Sequence, residues 1–251
     1  FISVGAVLAR RSCYDRIGAF DSTIDTSIDW DTWLRISRYF PFVGTNAVLL
    51  RYRVVAASMT SAFDTNLQHR VRVLQKYFGR PLDAAANPRE RLAYARTYLA
   101  AVVDNACAGN LEQAYECAVK MVEAYPEILR QQTSSYEIAC SIQPRGFRGD
   151  FVSVDLDATA RWMNDLLTRL FGDSRIATRA SHVRREAYAN TDFTLALLSY
   201  GARRMPETRR WLWRAVRSNP RMASDRQWLS TMLRSLLLPL FGRSRQPAAT
   251  N

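Results

Sequence analysis

Apolar residues recur along much of this chain at the three-and-four spacing of a helix, in blocks separated by turn-forming residues. Trp30, Trp33, Leu34 and Ile36 predict a helix from about Asp29 to Tyr39, stopped by Pro41, which disfavours helical backbone at Phe40. Leu67, Val71, Leu74, Tyr77 and Phe78 predict a helix from Asn66 to Phe78, ended by Gly79 and Pro81. Trp162, Leu166, Leu167 and Leu170 share one face of a helix from Asp157 to Phe171, and Glu127 to Ile142 also reads as helical. A short helix runs from Ser12, its cap, to Ile17. Near the end, Trp228, Leu229, Met232, Leu233, Leu236 and Leu237 precede Pro239 and a polar tail, residues 242–251. Two stretches carry extended character instead: residues 1–11, and Phe42 to Tyr52 with its Val48-Leu-Leu run, which predicts a strand.

These patterns divide the chain. Residues 1–80 mix helix and strand signals, 81–90 read as a linker, and 91–241 show long helical periods with little strand signal. The expected fold is an α/β N-terminal portion followed by an all-α domain, mostly α overall. A repeat lies in the second part: Ala93-Tyr-Ala-Arg-Thr-Tyr98 matches Ala187-Tyr-Ala-Asn-Thr-Asp192, and both run ungapped to a proline, Pro126 and Pro220, at one offset (187 − 93 = 94). With Gly109-Asn-Leu-Glu-Gln-Ala114 at its inter-helix turn, the first unit resembles a divergent tetratricopeptide unit. The second keeps Ala196, Ala215 and Pro220 but has no glycine at the turn. Stacked helical hairpins of that kind suit a protein partner or an extended acceptor.

Composition narrows the function classes. At 251 residues and 48% hydrophobic content the chain can bury a real core. It holds no run of about 18 uncharged apolar residues, so no membrane-spanning helix is expected. It opens Phe-Ile-Ser-Val without an initiator Met or signal-peptide pattern, which reads as part of something longer. The net charge of +12 is almost all arginine, since Lys76 and Lys120 are the two lysines. That charge suits phosphates, but its scatter along the chain argues against a nucleic-acid arm. Four cysteines without a C-x-x-C pair suggest buried thiols and a cytoplasmic setting, and the separated His69 and His182 disfavour zinc or triad chemistry. The basic turn Arg203–Arg210 reads as a solvated loop, and the tail helix as docked on its neighbours. Peripheral contact with the cytoplasmic face of a membrane is the second option for both.

The densest chemistry lies in Asp25-Thr-Ser-Ile-Asp-Trp-Asp-Thr-Trp-Leu-Arg35. Its acids sit at a helix start, where the helix dipole favours carboxylates and where Asp29 or Ser27 can cap. Asp31 and Arg35 are spaced to pair. Four blocks follow in order: Ser3-Val-Gly-Ala-Val-Leu-Ala-Arg-Arg-Ser12, Ile17-Gly-Ala-Phe-Asp21, Ile28-Asp-Trp-Asp-Thr-Trp-Leu-Arg-Ile36 and Leu50-Arg-Tyr-Arg53. Together they resemble the acceptor-side, C-terminal half of a family 2, GT-A type glycosyltransferase. The resemblance implies an inverting transfer from a nucleotide-sugar donor to a glycan or lipid-linked acceptor, in cell-surface polysaccharide synthesis. It makes Asp29 the base that deprotonates the acceptor hydroxyl, with Trp30, Asp31, Arg35 and Arg53 at the substrate. It also implies a Mg²⁺ or Mn²⁺ ion on the donor diphosphate, held by an Asp-x-Asp in a donor half N-terminal to Phe1, so that this chain alone is expected to be inactive. Three departures bear on geometry: Ile28 stands where the family has an acid, Ala19 replaces a glycine, and Val54-Val-Ala-Ala57 has no histidine. A second Asp-x-Asp, Asp155-Leu-Asp157, reads as a helix cap. The competing class is a non-enzymatic helical-repeat protein that binds a protein partner or an anionic polymer.

Overall fold

Wherever apolar residues recur at helical spacing, the computed structural model has a helix; it describes residues 2–51, 63–143, 151 and 153–241. The elements are α1 (Arg11–Ile17), α2 (Ile28–Ser37), α3 (Phe63–Phe78), α4 (Pro88–Cys107), α5 (Leu111–Ala124), α6 (Gln132–Cys140), α7 (Leu156–Gly172), α8 (Ala177–Ala180), α9 (Arg184–Gly201), α10 (Met205–Ser218) and α11 (Arg226–Phe241). Local chemistry sets their ends. Asn87 accepts from the Arg89 and Glu90 amides, and Pro88 occupies the first turn, where its missing N–H costs nothing. Asp155 accepts from the Ala158 amide at 2.8 Å and so caps α7. The expected helix from Glu127 to Ile142 is split: Pro126–Arg130 is a 3-10 turn, Gln131 is extended, and α6 follows. None of the described helices is long and apolar enough to cross a membrane.

The expected α/β N-terminal portion does not form: among the described residues there is no strand, and the regular structure is helical throughout. Val4–Ala6 is a 3-10 turn within the expected extended segment. Residues 42–51 are irregular and leave Val43 95% and Val48 92% exposed. The reason is partnership. Apolar alternation shows only that a segment suits a sheet, and a lone strand leaves its backbone groups without a ladder. Leu50 comes up against Gly5, so the two expected extended segments meet, but they exchange no ladder bonds. Tyr52 and Arg53 lie outside the described residues.

The 94-residue offset governs the architecture. Helices α5 and α10 match end to end at that offset, as do the 3-10 turns Pro126–Arg130 and Pro220–Ser224, and α6 and α11 start in register. Buried positions coincide: Ala95 with Ala189, Ala114 with Thr208, Ala118 with Leu212 and Met121 with Ala215 are all essentially inaccessible. The repeat also reaches back to α3 and α7 at an offset of 93, where Val73-Leu74 matches Leu166-Leu167 and Phe78-Gly79 matches Phe171-Gly172. One aromatic contact appears in both units. Phe78 stacks on Tyr94 at 6.3 Å and Phe171 on Tyr188 at 5.8 Å, each with an interplanar angle of 29°. Each unit is thus a helix packed on a hairpin, followed by a 3-10 turn and a closing helix.

Unit one docks on unit two through α5 and α6. Glu112 pairs with Arg169 at 2.7 Å, Tyr115 donates to Asp173 at 2.6 Å, and Glu116 takes both guanidinium nitrogens of Arg175. Beneath these contacts Leu166, Leu170 and Ile176 share one apolar core with Ala118, Met121 and Ile128. Lys76 is the unit-one counterpart of Arg169, and it pairs with Asp21 and Asp31 of the N-terminal segment. That segment therefore takes, on α3, the place that α5 takes on α7.

The hairpin turns differ at their left-handed position. Gly109 has φ +80°, and its counterpart Arg203 holds φ +58°, a left-handed conformation that a side chain disfavours. Arg203→Gly is expected to raise stability by about 0.5–1 kcal/mol in urea denaturation, and Gly109→Ala to lower it by about 1 kcal/mol. Equal effects of the same sign would contradict this reading of the turn.

Candidate functional site

The candidate site is built where the loop before α2 meets α3. Gly18, at φ +80°, ends α1 and turns the chain into Phe20 and Asp21. The Asp21 carboxylate accepts from the Thr23 amide at 2.9 Å and its hydroxyl at 2.7 Å, which folds the loop back on itself. Ile24 is fully buried beneath it. One stripe of α3, at spacings of three and four, grips this loop. The Thr26 amide donates to His69 Nδ1 at 3.1 Å, Arg72 donates to the Thr23 carbonyl at 3.2 Å, and Lys76 pairs with Asp21 at 2.7 Å. Because Nδ1 faces an N–H, it accepts, and the ring proton belongs on Nε2.

Asp31 is the centre of the charge network. It is 2% exposed, and both its oxygens face cations: Arg35 Nε at 2.9 Å and Lys76 Nζ at 2.9 Å. Arg35 extends the network to the preceding turn, donating to the Ile17 carbonyl at 2.7 Å and the Ala19 carbonyl at 3.0 Å. The Lys76 ammonium holds the Asp21 carboxyl far below the usual carboxylate range, helped by Thr23. Burial works against the Lys76 charge, yet hydrogen bonds to the two carboxylates raise its pKa overall. A depressed carboxyl contributes stability above the unfolded pKa near 4 and loses it as pH falls.

Asp29 is placed differently. It lies in the first turn of α2, half-buried, and its Oδ1 accepts from the Trp30 amide at 2.8 Å. Among the described residues it has no ion-pair partner. Ser27 ahead of it is the helix cap position, yet its side chain makes no capping bond and its backbone is left-handed at φ +65°. Trp30 packs against the apolar core of the helical units. Trp33 packs with Cys13 and Ile36, and its indole N–H donates to the Ile2 carbonyl at 3.1 Å. The structure thus brings Asp29, Trp30, Asp31 and Arg35 onto one two-turn stretch of α2, while Arg53 lies outside the described residues.

These residues do not fit a Mg²⁺ or Mn²⁺ site. Of the two acids in Asp29-Trp-Asp31, Asp31 already has a cation on each oxygen. Asp155 is committed to its cap, and no group of three or more His, Cys, Asp or Glu side chains among the described residues could hold a metal ion. Sequence reasoning found the Asp31–Arg35 pair but missed His69, Arg72 and Lys76, which bind Thr26, Thr23 and Asp21 across separations of 43, 49 and 55 residues. The one available signal was a lysine in a chain that otherwise uses arginine. No protein-family model matches the chain, and no curated protein or solved structure matches it.

A second perturbed carboxyl lies in unit two. Asp192 on α9 is buried, and burial pushes its pKa up to about 6 although Arg214 stands 3.3 Å away. Its folded pKa exceeds the unfolded value, so the folded state binds the extra proton and stability falls as pH rises from about 4 to 6. Asp192→Asn is expected to remove that slope, which amounts to at most about 3 kcal/mol, in urea denaturation at several pH values. An unchanged slope would contradict the assignment.

The two acids of α2 separate in a stability measurement. Asp31→Asn removes the buried charge that Arg35 and Lys76 share, leaving Lys76 with Asp21 as its carboxylate, and is expected to cost about 2–4 kcal/mol. Asp29→Asn is expected to cost under about 0.5 kcal/mol. Equal losses would show that Asp29 is also a structural acid.

Proposed function

We propose that this chain carries the acceptor-side part of an inverting glycosyltransferase site, with Asp29 as the base. The observation that carries the proposal is the division of labour in α2. Asp31, Arg35 and Asp21, drawn from two of the four ordered sequence blocks, lock together with Lys76. Asp29, two residues from Asp31, is left with no counter-charge among the described residues. A base needs that combination, a fixed position and a carboxylate free to take a proton. In an inverting transfer the acceptor hydroxyl attacks the anomeric carbon opposite the leaving nucleotide, its proton passes to the carboxylate, and the bond to the diphosphate breaks. Such a base contributes ~10²–10⁴ in rate. The left-handed Ser27 just ahead of Asp29 supports a functional reading, since unfavourable backbone tends to persist where geometry matters.

Trp30 and Arg35 serve this site by fixing the helix. The donor is a nucleotide sugar and the acceptor a glycan or lipid-linked sugar of the cell surface. The tetratricopeptide-like repeat positions that acceptor or a partner. The reaction belongs in the cytoplasm, a reading supported by four cysteines without a C-x-x-C pair.

The test is sugar transfer by the protein as it occurs in its source, assayed with a panel of nucleotide sugars. Asp29→Asn is expected to lower turnover about 10²-fold or more, with nucleotide-sugar binding and thermal stability retained. Turnover unchanged in Asp29→Asn would remove the base assignment.

A further inference from the structure

The repeat makes a surface legible that neither unit reveals alone. In unit one, the outer faces of α5 and α6 are covered by unit two. Ser135 and Ala139 of α6 are buried there, Ile142 packs on the shared core, and Gln143 is buried against Thr159. Their counterparts in unit two, at the offset of 94, are Leu229, Leu233, Leu236 and Leu237 of α11. All four are leucines and all are open, at 49%, 58%, 52% and 40% exposure. On the hairpin, Val119 is 1% exposed whereas its counterpart Trp213 is 60% exposed. A soluble surface has no need of a leucine stripe and an open tryptophan at positions whose counterparts form an interface.

The charges on that face are inverted. Glu116, which grips Arg175 across the unit interface, is replaced by Arg210, and Glu123 is replaced by Arg217. Arg210 and Arg217 have no ion-pair partner among the described residues, while Arg214 between them pairs with Asp192. With Trp213 these three arginines line an open concavity of about 410 Å³. Trp213 sits edge-on to Trp228 of α11 at 6.4 Å, which joins the arginine face to the helix that carries the leucines.

We infer that the outer face of α10 and α11 is a docking surface for an acidic amphipathic helix of a partner protein. The partner's apolar stripe covers the leucines and Trp213, and its carboxylates meet Arg210 and Arg217 as Arg175 meets Glu116. A second copy of this chain is the poorer occupant: like faces would bring arginine against arginine, and the net charge of +12 opposes self-association. Residues 242–251, Gly-Arg-Ser-Arg-Gln-Pro-Ala-Ala-Thr-Asn, carry two arginines and no large apolar residue, so they do not match the face either. This inference stands independently of the proposed transfer reaction.

The part of unit two whose arginines meet α5 supplies the probe. A fluorescent peptide of residues 155–183 is compared with the same peptide bearing Arg169→Glu, Arg175→Glu and Arg179→Glu, each titrated with the full chain and read by anisotropy. The acidic peptide is expected to bind at least about tenfold tighter than the basic one, with affinity falling as salt rises. Arg210→Glu/Arg217→Glu in the full chain is expected to reverse the preference, and Leu233→Asp to weaken both peptides, with circular dichroism confirming that each variant folds. Binding of neither peptide, equal binding, or a preference that survives the charge reversal would overturn the inference. So would two rival outcomes: a dimer in sedimentation velocity that Leu233→Asp dissociates, or flotation with phosphatidylglycerol vesicles that Arg210→Glu/Arg217→Glu abolishes.

Discussion

A buried carboxylate cannot remain charged without compensation, and Asp31 organises the N-terminal segment on that constraint. Its two oxygens draw in Arg35 from the same helix and Lys76 from α3. Arg35 then fixes the turn at Ile17 and Ala19, and Lys76 fixes the loop at Asp21. The orientation of α2 on the helical units follows from those bonds together with the apolar packing of Trp30. The position of Asp29 is a consequence of this arrangement: it belongs to a helix whose start is held from three sides, while its own carboxylate is not one of the holding groups.

The same physics recurs at the next level. A helix packed on one face must cover its other apolar face, and each unit here does so with the element before it. Lys76 on α3 and Arg169 on α7 are repeat counterparts, one meeting acids of the N-terminal segment and the other an acid of α5. Ion pairs at the rim set the register, and the apolar core beneath supplies most of the adhesion. On α10 and α11 the pattern continues in sequence without a cover among the described residues, and with the charge sign reversed.

How much of this was legible beforehand depended on range. Helices declared themselves through local spacing, and Asp31–Arg35 could be read because both residues lie on one helix four positions apart. The grip of His69, Arg72 and Lys76 was not readable, since nothing local says which loop a helical stripe will meet. The strand expected around Val48 failed for a related reason: its pattern describes one half of a pairing, and no partner strand stands beside it among the described residues. The repeat was visible from Ala93 and Ala187 onward, where the offset is constant. It was missed across α3 and α7 because one extra residue between Gly172 and Tyr188 shifts the register and identity there is low. The cap role of Asp155 was readable from local sequence, and the αL backbone of Ser27 was not.

The central claim is that the Lys76–Asp31 contact holds α2, and with it Asp29, in place on α3. Amide hydrogen exchange on Lys76→Met tests it most directly, because exchange reports each helix separately. The expected result is faster exchange in α2 and in the loop at Thr23 and Thr26, with α9 unchanged. Exchange in α2 as slow as in the unaltered chain would contradict the claim and leave Asp29 positioned by some other contact.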